Sequence, residues 1–64
     1  MIVNGVVHDF ESSRTVVELL DDLGVPARGI AVAINGEIVR RSLWGVTWIH
    51  PSDRVEIVTA VAGG

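Results

Sequence analysis

The chain has no cysteine and no lysine. The first absence excludes a disulfide framework, a thiolate metal site and a cysteine nucleophile together. All five basic residues are arginine, at positions 14, 28, 40, 41 and 54, so the N-terminus is the only aliphatic amine and lysine-linked chains of this protein cannot form. Basic charge is itself scarce. Eight acidic residues against five basic ones leave a formal charge of −3, the wrong sign for nucleic acid, whose affinity comes largely from clustered Lys and Arg. Long apolar runs are missing too. Ile2 and Val3 give way to Asn4 and Gly5 with no basic stretch leading into an apolar one, so neither a signal peptide nor a membrane span is expected and the predicted location is cytoplasmic.

What remains is enough for a small fold. Sixty-four residues with 48% hydrophobic and 20% charged side chains predict one domain. A chain of this size buries only about 60% of the surface its unfolded form exposes, which leaves little core with which to enclose a substrate. Around Asn4-Gly5, the pairs Ile2-Val3 and Val6-Val7 read as a hairpin, because Asn-Gly suits both positive-φ positions of a type I′ turn. Thr15-Val16-Val17-Glu18 has the capping-box pattern and predicts a helix starting near Val16. Val16, Leu19, Leu20 and Leu23 then fall on one helical stripe, Gly24 stops the helix and Pro26 follows. Asp21 and Asp22 sit in its last turn, the unfavourable end for the helix dipole, and predict a solvated acidic surface.

From Ile30 to Ile34, large and small residues alternate, placing Ile30, Val32 and Ile34 toward the helix and Ala31 and Ala33 on the opposite face. Asn35-Gly36 marks a second hairpin into Glu37-Ile38-Val39-Arg40, residues 41–53 read as irregular, and Arg54–Thr59 reads as a last strand. This order predicts an α+β fold of the β-grasp (ubiquitin-like) type: a mixed four- to five-stranded sheet with one main helix on one face, and the final strand beside the first.

The residues offer little for catalysis. His8 and His50 lie on separate segments with no evident carboxylate partner, so neither a catalytic triad nor a metal site is expected. The seven glycines lack phosphate-loop spacing and read as turn chemistry. Trp44 and Trp48, four apart, are expected to cover the open end of the core. The unusual feature is Gly63-Gly64, two residues without side chains after the last β-prone segment, which predicts a flexible tail suited to threading a narrow slot.

Four stretches resemble the ThiS family of sulfur carriers: Thr15–Leu20, Ile30–Val39 with its Ala-Ile-Asn-Gly hairpin, Trp44, and Asp53–Gly64 with its Val-Ala-Gly-Gly ending. The helix motif occurs in many β-grasp proteins, whereas the hairpin and the ending are more particular to this family. Two departures stand out: Pro51-Ser52-Asp53 where the family usually has Asp-Gly-Asp, and Trp48.

The resemblance implies a single ubiquitin-like carrier domain over 1–64 that is a substrate rather than an enzyme and binds no cofactor of its own. In the family, a ThiF-type adenylating enzyme uses Mg-ATP to activate the terminal carboxylate, here that of Gly64. Sulfur from a cysteine desulfurase system then converts it to a thiocarboxylate, which thiazole synthase consumes in making the thiamin thiazole. Ala62 and Gly63 would thread the partner's channel, and Ala31, Ala33, Val58 and Ala60 would form an apolar docking patch on the sheet face opposite the helix. Neither nucleic acid nor membrane is an expected partner. Carriers for molybdopterin or a specialised metabolite share the tail chemistry. A ubiquitin-like protein modifier and a plain interaction module are the remaining alternatives.

Overall fold

The computed structural model describes residues 1–59. Its strands are β1 (Ile2–Val3), β2 (Val6–Val7), β3 (Arg14–Thr15), β4 (Ile30–Ile34), β5 (Glu37–Val39), β6 (Trp48–Ile49) and β7 (Arg54–Thr59), with helix α1 (Val16–Leu23) between β3 and β4. Five strands form a mixed sheet in the order β2-β1-β7-β4-β5, and β3 pairs with β6 apart from it. The final strand runs parallel to the first, Ile2 opposite Arg54 and Val3 opposite Val55, while β4 pairs antiparallel with both β7 and β5. This is the β-grasp arrangement.

Local chemistry fixes each joint. Asn4 and Gly5 take φ of 50° and 80°, and Asn35 and Gly36 take 50° and 87°, the doubly positive pair a type I′ hairpin turn requires. Thr15 caps α1 from an extended conformation, its hydroxyl accepting from the Glu18 N–H while the Glu18 carboxylate accepts from the Thr15 N–H. At the other end Gly24, at φ 69°, donates its N–H to the Asp21 and Leu20 carbonyls. Two caps make an eight-residue helix viable that would not hold alone in water.

The helix buries Val16, Leu19 and Leu20 against Val3, Val32 and Val55 of the sheet, with Met1, Trp44 and Ile49 closing the core. Ile30, Ile34 and Ile57 pack on its margin, as the alternation in β4 and β7 dictates. Each such aliphatic side chain contributes about 1.5–3 kcal/mol of transfer free energy.

Three expectations change. Residues 41–53 are more ordered than the sequence suggested: Arg41–Leu43 form a 3-10 turn, and β6 lies antiparallel to β3. The two tryptophans part company. Trp44 is buried and its indole N–H donates to the Val39 carbonyl at 2.8 Å, whereas Trp48 is 55% exposed. In a strand, neighbours face opposite ways, and it is Ile49 that turns inward, fully buried. Asp22 is not merely solvated. It accepts from Arg14 Nε at 2.7 Å, and the Arg14 guanidinium also lies 5.3 Å from the centre of the Phe10 ring. An Arg at this end of the helix offsets the unfavourable placement of the acid. Among the described residues, no helix is long and apolar enough to cross a membrane.

Candidate functional site

The register settles which residues share the sheet face turned away from α1. Ala31 lies opposite Val58, and Ala33 opposite Glu56 on one side and Ile38 on the other. Arg54 has the same parity as Glu56 and Val58 and lies opposite Ile2, itself opposite Val7. The open face therefore runs Val7, Ile2, Arg54 at one corner and Glu56, Ala33, Ile38 across the middle, with Ala31 and Val58 toward Thr59.

This face is mostly apolar, and among the described residues nothing covers it. Ile38 is 79% exposed, Val7 69% and Val58 54%, while Ala31 and Ala33 are half-buried among longer neighbours. Exposed apolar patches mark interaction surfaces, and here Arg54 and Glu56 of the central strand β7 divide the aliphatics of β1 and β2 from those of β4 and β5. The structure thus brings together three of the four residues expected in the docking patch. Ala60 lies outside the described residues, as do Ala62, Gly63 and Gly64 of the expected tail.

Ile38 is the member sequence reasoning missed. Applying the two-residue period to β5 as to β4 identifies it, because Glu37 and Val39 share the face of Ile34 and Val32 and so leave Ile38 on the other. A second feature lies at the outer edge of β5, an open groove of about 730 Å³ of mixed polar and apolar lining that includes Glu37, Val39, Arg40, Leu43, Thr47 and Trp48. Its far wall exists because the 3-10 turn and β6 hold residues 41–49 in place, with Arg41 donating to the Ala27 carbonyl at 2.6 Å and stacking 4.9 Å from the Trp44 ring centre.

The histidines sit away from the β7 end of this face. His8 stacks on Phe10, with ring centroids 6.3 Å apart. The His50 ring pairs with the Ser13 hydroxyl at 3.0 Å, which superficially resembles two members of a triad because Asp53 is adjacent. The carboxylate, however, does not reach the ring. Asp53 Oδ2 accepts from the His50 main-chain N–H at 2.8 Å, and Oδ1 accepts from the Asn35 carboxamide at 3.2 Å. Asn35 in turn accepts from the Arg54 N–H at 3.0 Å, so this cluster ties the β4–β5 turn to the start of β7. The His50 N–H bond holds the Asp53 carboxyl below its ordinary value near 3.8, with Asn35 helping and partial burial opposing. Among the described residues, no group of three or more His, Cys, Asp or Glu side chains is placed to hold a metal ion.

Comparison with known proteins points one way. The ThiS family model matches residues 1–64. The sulfur carrier protein ThiS of Escherichia coli K12 is 36% identical over 53 residues, which cover 83% of this chain and 80% of that protein. A thiazole synthase of Paramagnetospirillum magneticum is 39% identical over 64 residues, all of this chain but 20% of that protein's length. The crystal structure of the thiamine biosynthesis protein ThiS from Geobacter metallireducens superposes with a TM-score of 0.88 at 33% identity, covering 98% of this chain and 96% of that one.

Proposed function

The chain belongs to the ThiS family, and from that premise we propose that it is a sulfur carrier for thiamin biosynthesis whose Gly64 carboxylate is the working group. A carboxylate is a poor acceptor for nucleophiles, so it must first be activated. A ThiF-type enzyme uses Mg-ATP to do so. A carboxylate oxygen attacks the α-phosphorus, pyrophosphate leaves, and the acyl-adenylate carries AMP as its leaving group. Persulfide sulfur, loaded by a cysteine desulfurase, attacks the acyl carbon and expels AMP. A thiol of the partner then cleaves the S–S bond to leave the thiocarboxylate. The carrier contains no cysteine, so it has no thiol with which to intercept its own activated end.

The observation that carries this reading is the family match over 1–64, which runs through Gly63 and Gly64. The geometry supports it from the other side. β7 carries the chain to Thr59, the last described residue, beside the exposed Val58 and its partner Ala31, and residues 60–64 lead on to the carboxylate. Docking by the apolar face and chemistry at the carboxylate are thereby divided between body and tail. The similarity to thiazole synthases supports thiazole synthase as the enzyme that takes the sulfur.

Pyrophosphate release from Mg-ATP by a ThiF-type enzyme tests the first step. The full chain should stimulate it, and a chain ending at Gly63 should not. Equal stimulation by both would show that Gly64 is not the activated group.

A further inference from the structure

β7 is paired along its whole length on the β4 side but along only part of it on the β1 side. β1 ends at Val3 and the chain turns away through Asn4-Gly5, both at positive φ. The last contact on that side comes from a side chain. The Asn4 carboxamide straddles one residue of β7, Nδ2 donating to the Ile57 carbonyl at 3.0 Å and Oδ1 accepting from the Ile57 N–H at 2.8 Å. It supplies the rung a further strand residue would have made.

The alternation of the strand then determines what lies beyond. The carbonyls of Asp53, Val55 and Ile57 all face β1, accepting from the Ile2 N–H, the Asn4 N–H and the Asn4 carboxamide. With a period of two, the main-chain N–H and C=O of Thr59 point the same way, past the reach of Asn4. Among the described residues no strand occupies that side, and both Val58 and Thr59 are exposed.

We propose that this edge of β7, bounded by Asn4 and opening at Thr59, is a strand-addition site for an extended segment of the enzyme that adenylates Gly64. The inference rests on the carrier reading above. Two observations select this occupant. Four residues separate Thr59 from Gly64, five Cα steps with a reach of at most about 18 Å, so any enzyme holding the carboxylate has its surface within that distance of this edge. The residues between are Ala60, Val61, Ala62 and Gly63, which offer little for side-chain recognition. Main-chain pairing is the mode that fixes direction and register without side chains, and an added strand aligns the outgoing chain along its own axis.

The test separates backbone from side chain at one position. Thr59→Pro removes the outward N–H, at a place where the body of the sheet does not use it and where proline is tolerated. A synthetic chain N-methylated at Thr59 removes the same donor with the side chain kept. Thr59→Ala keeps the donor and removes the side chain. With the adenylating enzyme, the proline and N-methyl chains should raise KM by about two- to tenfold, the worth of a lost hydrogen bond, with kcat within about twofold. The alanine chain should match the unmodified one, and all should melt within a few degrees of it. Wild-type KM for the proline and N-methyl chains, or an equal loss in the alanine chain, would overturn the strand-addition site and leave the carrier reading standing. Failure of the unmodified chain to be adenylated would overturn both.

Discussion

Replacing Ile38 by threonine separates the fold from docking. Ile38 is 79% exposed on the open face and pairs with Ala33, so the folded chain alone gains little from its apolar carbons. Threonine keeps the β-branch and the strand preference while losing two carbons and gaining a hydroxyl. The free protein should therefore change by no more than about 0.5 kcal/mol, as exposed substitutions do. If the face is covered by the adenylating enzyme, the same two carbons leave water in the complex. At about 0.8 kcal/mol each, their loss weakens binding by about 1.5 kcal/mol, or roughly tenfold. The assay is KM in the pyrophosphate-release reaction, with a thermal melt of the same sample. A tenfold rise in KM at constant melting temperature and constant kcat is expected, the pattern of lost uniform binding. An unchanged KM would refute the claim that the β5 end of this face docks the enzyme.

Other consequences concern the fold and its polar cluster. Leu19 is fully buried at the centre of the core, so Leu19→Ala should cost about 2–5 kcal/mol and lower the melting temperature by at least about 10 °C; a shift of only a degree or two would contradict the packing described. Trp44→Phe keeps most of the ring but removes the donor to the Val39 carbonyl and weakens the Arg41 stack, with an expected loss of about 1–2 kcal/mol in urea unfolding. The Asp53 carboxyl has a folded pKa below its unfolded one, so its stabilisation is complete above the ordinary value near 3.8 and is lost as pH falls through the folded value. Melting temperature should drop in that acid window, and less steeply in Asp53→Asn; parallel acid profiles for the two proteins would remove Asp53 from the account.

The elements that could be read from the amino-acid sequence are those whose chemistry is local. Asn4-Gly5 and Asn35-Gly36 announce their turns because few other dipeptides accept two successive positive φ values. The Thr15–Glu18 box and Gly24 bracket the helix within the residues that form it. Ala31, Ala33 and Val58 were legible on one face because alternation in β4 and β7 carries over into the paired sheet. What escaped depends on distance or on very short elements. β3 and β6 have two residues each, too few for a period to register, and without them nothing tells Trp48 from Trp44. The Asp22–Arg14 pair joins the end of the helix to the strand before it, and since Arg14 lies outside the helix no helical repeat relates the two. Asn4 gripping Ile57 joins residues 53 apart in the chain and exists only once β1 lies beside β7.

The central claim is that sulfur leaves this protein from Gly64, and the intact mass of the chain tests it most directly. After incubation with a ThiF-type enzyme, Mg-ATP and a persulfide donor, the full-length chain should gain the mass difference of one oxygen exchanged for one sulfur, and fragmentation should place that gain on Gly64. A chain ending at Gly63 should gain nothing. An unmodified full-length mass, with the same enzyme active on its own carrier, would contradict the account.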